Sequence, residues 1–208
     1  HETFAFYTDN DADGYGTGSA QQVCAANATT PPTGYSVANG DCNDANANVN
    51  PGAQEICNGI DDDCDGFTDD ADPSISPASQ TTYYADSDSD SFGNAAVSVL
   101  ACNAPVGYVA QAGDCNDSNA AVNPGAQEIC DGIDNDCDGF TDGADPSLLG
   151  SSQTTFYADA DGDTFGNPNV SVNACVAPIG YVSNNTDCDD SNASIHERFS
   201  FYSDNDND

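Results

Sequence analysis

Residues 41–74 and 114–147 align without a gap at an offset of 73 and agree at 29 of 34 positions. A chain that repeats itself this closely reads as a tandem array of similar units. Each repeat must form its own small unit and lean on its neighbours. The same offset carries "TTYYADSDSDSFGN" (81–94) to "TTFYADADGDTFGN" (154–167), and "FAFYTDNDADGYG" (4–16) is the first copy of that element. Each module therefore has one order. An aromatic segment enters an Asp-rich loop; a cysteine and a Pro-x-Gly-Tyr segment follow, then an Asp-Cys-x-Asp box, and "NPGAQEIC" to "DGFTD" closes the module. The third module stops after "DCDDSNASI", where "HERFSFYSDND" (196–206) repeats "HETFAFYTDND" (1–11) at 8 of 11 positions. The expected organisation is module 1 at 1–78, module 2 at 79–151, a truncated module 3 at 152–195, and the start of a further unit at 196–208. The chain reads as a window on a tandem array, or as a subunit whose two ends are interchangeable.

Composition removes several function classes. There are 36 acidic residues against one arginine, Arg198, and no lysine, for a net charge of -35. Phosphate backbones and anionic membranes repel such a chain, so no nucleic-acid partner is expected. No apolar run approaches the ~20 residues of a membrane span. No signal peptide is visible, so His1 is taken as a mature terminus or an arbitrary cut. Leu, Ile, Val and Phe number 31 of 208, below the ~20% under which a highly charged chain is expected to stay disordered. Either the chain is disordered, or something other than apolar burial orders it.

Ten cysteines offer one means. An even count in an acidic, Gly/Asn/Ser-rich chain reads as a disulfide framework formed in an oxidising compartment. Module 3 loses its second half and two cysteines together. That suggests local pairs: Cys57–Cys64 and Cys130–Cys137 in the second halves, and Cys24–Cys42, Cys102–Cys115 and Cys175–Cys188 in the first. Pairing across modules stays open, because spacing alone does not fix connectivity. Sequons at Asn27, Asn116, Asn169, Asn184 and Asn192 would permit glycans.

The acidic loops offer another. Residues 134–145, "DNDCDGFTDGAD", place Asp134, Asp136, Asp138, Asp142 and Asp145 at positions 1, 3, 5, 9 and 12, with Gly139 at position 6. This is the spacing of an EF-hand calcium loop with Asp in last place. Calcium takes six to eight oxygens; alternate residues of a tight loop aim carboxylates at one centre, and glycine permits the sharp turn. Asp61, Asp63, Asp65, Gly66, Asp69 and Asp72 repeat it. The plain alternative, a solvated acidic linker, does not account for two matches in register. The first loops supply three carboxylates each: Asp9, Asp11 and Asp13; Asp86, Asp88 and Asp90; Asp159, Asp161 and Asp163. Each needs remote acids, and Asp41 with Asp44, Asp114 with Asp117, and Asp187 with Asp190 are expected to be drawn in by the local disulfides. The restarting segment adds Asp204, Asp206 and Asp208. A third set has two readings. Asp44, Asn46, Asn48, Asn50 and Glu55, with Asp117, Asn119, Asn123 and Glu128 in module 2, are either further calcium loops or Asx turns in which Glu55 begins a helical turn. Three first loops, two Asn-rich loops and two closing loops would make seven sites, and seven calcium ions would take -35 to -21; binding them would be folding free energy.

"DCNDANANVNPGAQEICNGIDDDCDGFTDD" resembles the MopE-type metal-binding repeat of secreted and surface bacterial proteins, and "YYADSDSDSFGN" is similar to the segment that precedes it. The Asp-rich, disulfide-laced character is also similar to thrombospondin type 3 repeats, and the closing loops resemble dockerin calcium loops without the helices that follow those. The resemblance implies an extracellular or cell-surface repeat loaded with several calcium ions. The family name carries copper, but the chain has no Trp or Met and only His1 and His196, a poor donor set for copper.

The expected fold is mainly irregular with small β elements: tandem calcium- and disulfide-stabilised modules, short hairpins and little helix. The expected role is structural, in a bacterial surface filament, stalk or adhesin that continues head to tail or as a covalent array. "TFAFY" and "FSFY" are strand-like and could join units, although "TTYY" and "TTFY" argue for strands within each module. The alternative is a secreted metal-sequestering or mineral-nucleating protein. No enzyme is expected, since nucleophile–base constellations need His or Lys.

Overall fold

The computed structural model describes residues 2–195. The regular structure is strand and single 3-10 turns: β1 (Thr3–Thr8), β2 (Tyr15–Cys24), β3 (Tyr35–Ser36), β4 (Ala38–Asn39), β5 (Thr81–Ala85), β6 (Asn94–Ala101), β7 (Tyr108–Val109), β8 (Thr154–Ala158), β9 (Ser171–Ala174) and β10 (Tyr181–Val182). The 3-10 turns are Asp69–Ala71, Asp142–Ala144 and Gly150–Ser152. This is the irregular, small-β repeat architecture expected from the sequence. No helix among the described residues is long and apolar enough to cross a membrane.

Two compact units form. One contains the described residues up to Asp86 and Gly93–Ala112; the other contains Ser87–Phe92 and the described residues from Gly113 onward. The first unit holds a sheet of order β3-β1-β2-β4 and one of order β6-β5-β7; the second holds β10-β8-β9. Each sheet is one device repeated. The aromatic segment pairs antiparallel with the strand after the Asp-rich loop (Thr3↔Cys24, Thr81↔Ala101, Thr154↔Ala174). The Tyr of Pro-x-Gly-Tyr adds a two-residue strand on its other edge (Tyr35, Tyr108, Tyr181). β-branched and aromatic residues suit the centre of such a half-covered ribbon. Just past the acidic loop the backbones crowd. A Cβ on Gly16 would lie 2.6 Å from the Thr8 carbonyl oxygen and 2.7 Å from the Tyr7 Cβ, and Gly93 and Gly166 are equally confined against Tyr84 and Tyr157. Only glycine fits there.

The interior is inverted relative to an ordinary domain. Among the described residues, the buried hydrophobic side chains are Phe6, Val49, Ala101 and Val122. The buried polar side chains include Asp9, Asp41, Glu55, Asp62, Asp72, Asp114, Glu128, Asn135, Asp145 and Asp187. Apolar burial is therefore not the main ordering force, and buried carboxylates are what the fold must accommodate.

The disulfides correct the expected pairing. Cys42 bonds Cys64 and Cys115 bonds Cys137, each pair 22 residues apart. Cys57 bonds Cys102 and Cys130 bonds Cys175, each pair 45 residues apart. Neither Cys24 nor Cys188 belongs to these four bonds, and both are exposed. Cys24–Cys42 fails for a geometric reason. Cys24 lies at the far end of β2, opposite Thr3, while Asp41 donates its N–H to the Gly16 carbonyl at the near end. Eight strand residues span about 26 Å, far beyond the ~7 Å limit for a bridge. The two cysteines of the closing half serve different partners. Cys64 returns to the acid box of its own module, whereas Cys57 reaches forward to the end of the next module's hairpin. Module 3 loses both together because one missing half supplied both bonds.

Candidate metal centres

The first loop is built from backbone donors. Asp9 accepts from the N–H of Ala12 (2.7 Å) and of Gly14 (3.2 Å), and Asp13 accepts from Tyr15 (2.8 Å). The tight turn needs left-handed backbone at its sixth position, with φ of 96° at Gly14, 81° at Ser91 and 77° at Thr164. The remote acids arrive as expected, but β pairing brings them rather than a disulfide. β4 runs parallel to β2, and Gly40 and Asp41 both donate to the Gly16 carbonyl. Asp44 then accepts from the Asn10 N–H at 2.7 Å. In module 2 Ser87 donates to Asp117 at 2.7 Å, and in module 3 Ala160 donates to Asp190 at 2.7 Å. In the first module Asp9, Asp11 and Asp13 form one triad, and Asp11, Asp41 and Asp44 another, each with ligand oxygens within 4.8 Å of one another. Asp86, Asp88 and Asp90 form the matching loop triad.

The closing loop takes the expected turn. Asp61 caps the N–H groups of Asp65 and Gly66 (3.1 and 3.0 Å), and Gly66 has φ of 97°. Asp134 does the same for Asp138 and Gly139. Asp61, Asp63 and Asp65 form a triad, and so do Glu55, Asp63 and Asp72. Glu55 thus joins the closing loop and leaves the Asn-rich segment without an acid in twelfth place. It is fully buried, accepting from Asp69 (2.7 Å) and Asp62 (2.8 Å); Glu128 accepts from Asp142 and Asn135, both at 2.7 Å. No helical turn forms at 53–57. The Asn side chains make Asx turns: Asn46 accepts from Asn48, Asn50 from Gly52, Asn119 from Ala121 and Asn123 from Gly125. Asp69 also departs from its expected place. It accepts from Asn58 and Gly59 at 2.9 and 3.0 Å, and Asp142 accepts from Gly132 at 3.0 Å. Both acids brace the turn before the loop. Asp204, Asp206 and Asp208 lie outside the described residues.

One pair escaped the sequence reading. Asp62 is buried and accepts from the Ile56 N–H (3.2 Å) and from the Asn58 amide (3.0 Å). In module 2 the amide and the acid change places: Asn135 accepts from Ile129 (3.0 Å) and donates to Asp131 (3.3 Å). Two of the five differences between the repeats, Asn58/Asp131 and Asp62/Asn135, are therefore one compensated exchange. A paired swap inside an otherwise identical repeat was the signal available.

What remains after all these bonds is chemically telling. Asp11, Asp13 and Asp41 each keep a buried oxygen with no hydrogen-bond partner; so do Asp88, Asp90 and Asp114, and Asp161 and Asp187. In the closing loops Asp63, Asp72, Asp136 and Asp145 do the same. Unpaired buried carboxylate oxygens facing one another are strongly unfavourable without a cation or a proton. The one arginine, Arg198, lies outside the described residues. Desolvation, then the charges of Asp13, Asp11 and Asp44, raise the Asp41 pKa against an opposing hydrogen bond from Asn43. Asp114 is raised likewise, by desolvation and then Asp90, Asp88 and Asp117, and Asp161 by desolvation, Asp163, Asp187 and Asp159. Protons and a cation thus compete for the same oxygens. The donor set is all oxygen, which suits hard cations such as calcium and not copper.

Residues 41–70, 69–90, 114–143 and 187–199 match the Cu-binding MopE family, described as "Putative metal-binding motif". No curated protein and no solved structure matches the chain. The chain carries the MopE-type metal-binding motif four times along its length.

Proposed function

We propose that the chain is a calcium-ordered structural repeat of the extracellular space, part of a bacterial surface filament, stalk or adhesin. The observation that supports it most is the set of buried carboxylate oxygens without a hydrogen-bond partner that gather in every module among the described residues. Calcium is preferred because the donors are carboxylates in flexible loops, and magnesium gives up its water to such cages reluctantly. Four disulfides suit an oxidising compartment. Bonds reaching from one module's closing half to the next module's hairpin suit a body loaded along its length. No catalytic role is proposed, and copper is set aside on its donors.

The test is far-UV circular dichroism and protease resistance in millimolar calcium and then in excess chelator, with disulfides intact. Collapse on chelation, reversed by calcium and not by magnesium, is the expected result. A fold indifferent to chelation would favour the sequestering or mineral-nucleating alternative.

A further inference from the structure

We propose that each acidic cluster holds two cations bridged by one aspartate, Asp11 in the hairpin loop and Asp63 in the closing loop. The inference rests on the metal-binding reading and concerns how many ions a cluster takes and how they are shared. Calcium–oxygen distances of about 2.4 Å place any two oxygens of one shell within about 4.8 Å. The hairpin-loop acids meet that limit as two triads, Asp9–Asp11–Asp13 and Asp11–Asp41–Asp44, which overlap at Asp11. The closing-loop acids do likewise as Asp61–Asp63–Asp65 and Glu55–Asp63–Asp72, overlapping at Asp63. The shared residue is the central one in each case, and a carboxylate with two oxygens can serve two ions.

Acid clustering alone would not carry this. The remote triads each contain a deeply buried aspartate with an oxygen left unanswered: Asp41 is 5% exposed and Asp72 is 2% exposed. Both bridging residues also keep a buried oxygen without a hydrogen bond. A single ion in the loop triad would leave the Asp41 or Asp72 oxygen uncompensated in the interior, at the cost attached to a buried unpaired charge. Charge leads to the same count. Five carboxylates in a cluster carry -5; one divalent ion leaves -3 and two leave -1. The second module keeps the matching oxygens open on Asp88, Asp90 and Asp114 and on Asp136 and Asp145, and the third on Asp161 and Asp187.

The experiment loads the full chain with Mn2+, a hard cation that accepts oxygen cages, and records its electron paramagnetic resonance spectrum beside a calcium count by native mass spectrometry. Two ions bridged by a carboxylate are exchange-coupled; ions in separate loops are not. The expected result is a coupled spectrum with about two calcium ions per cluster. Asp11→Ala should then remove about one fifth of the coupled signal, one cluster in five, while disulfide mapping shows the same four bonds. An uncoupled spectrum with about one ion per cluster would overturn the pairing and leave metal binding standing. A chain that binds neither ion would overturn both. The wild-type spectrum decides the matter even if the variant does not fold.

Discussion

The hairpin-loop cluster and the closing-loop cluster hold the same kind of carboxylate cage by different means. In the hairpin loop, three acids sit on the connection between β1 and β2, and the remote acids are delivered by backbone pairing to the Gly16 carbonyl. In the closing loop there is no sheet. Glu55 pins two backbone N–H groups with one carboxylate, and Cys64 ties the loop to Cys42. The first cage borrows order from strands; the second makes its own from a buried acid and a covalent bond. The closing loop should therefore be the more sensitive to single side chains, and the hairpin loop the more sensitive to the ion.

On the proposed calcium reading, removing the ion is the largest expected perturbation. With disulfides intact, chelation should abolish the protection of the hairpin amides, because the strands lack a core beyond residues such as Phe6. Hydrogen exchange resolved by segment checks this. Protection in β1 and β2 should fall at least as far as protection around Cys42–Cys64; the reverse order would break the comparison.

Glu55→Ala comes next. It strands the N–H groups of Asp62 and Asp69 in the interior, at about 2–4 kcal/mol for two charge-assisted bonds. Thermal unfolding in saturating calcium should show the loss, and Glu128→Ala should match it in module 2. A half-buried acid of the hairpin-loop cluster such as Asp44, Asn10's partner, should cost less when replaced by Asn in the same assay.

The exchanged amide–acid pair gives a sharper test. Asn58→Asp sets two carboxylates against each other beside Ile56 and should destabilise by about 1–3 kcal/mol. The double exchange Asn58→Asp with Asp62→Asn recreates the module 2 arrangement and should recover most of that loss. A double-mutant cycle in denaturant measures the coupling; additive effects would mean that the pair is not the unit we describe.

The smallest effect should be a gain. Ser91 and Thr164 hold left-handed backbone where module 1 has Gly14. That conformation costs a non-glycine residue about 1–2 kcal/mol, offset in part by the entropy glycine loses on folding. Ser91→Gly should therefore raise the unfolding midpoint slightly in the calcium-loaded chain. No change would mean that the loop relaxes around serine.

Much of the site was legible. Carboxylates at alternate positions before a glycine, twice in register, identify loops whose acids converge, and aromatic segments ahead of them identify the hairpins. Glu55 was harder to place. Its distance from Asn46 and Asn48 matched a loop of its own, while its actual neighbours, Asp63 and Asp72, lie eight and seventeen residues onward. Asp69 fitted a ligand position by count but turns to brace Asn58 and Gly59. Spacing tells which side chains can converge, and not which backbone N–H will claim them first.

The sequence by itself determined the repeat, the acid loops and the poverty of apolar residues, because each is a pattern along the chain. Only the tertiary structure decided the disulfide partners, the pairing of Asn58 with Asp62, the company of Glu55 and the overlap of the acid triads at Asp11 and at Asp63. Those depend on where strands end. Cys24 stands a full strand away from Cys42, and Cys57 stands beside a hairpin that begins a module later; distances of that kind are set by chain direction in space and leave no mark in residue spacing.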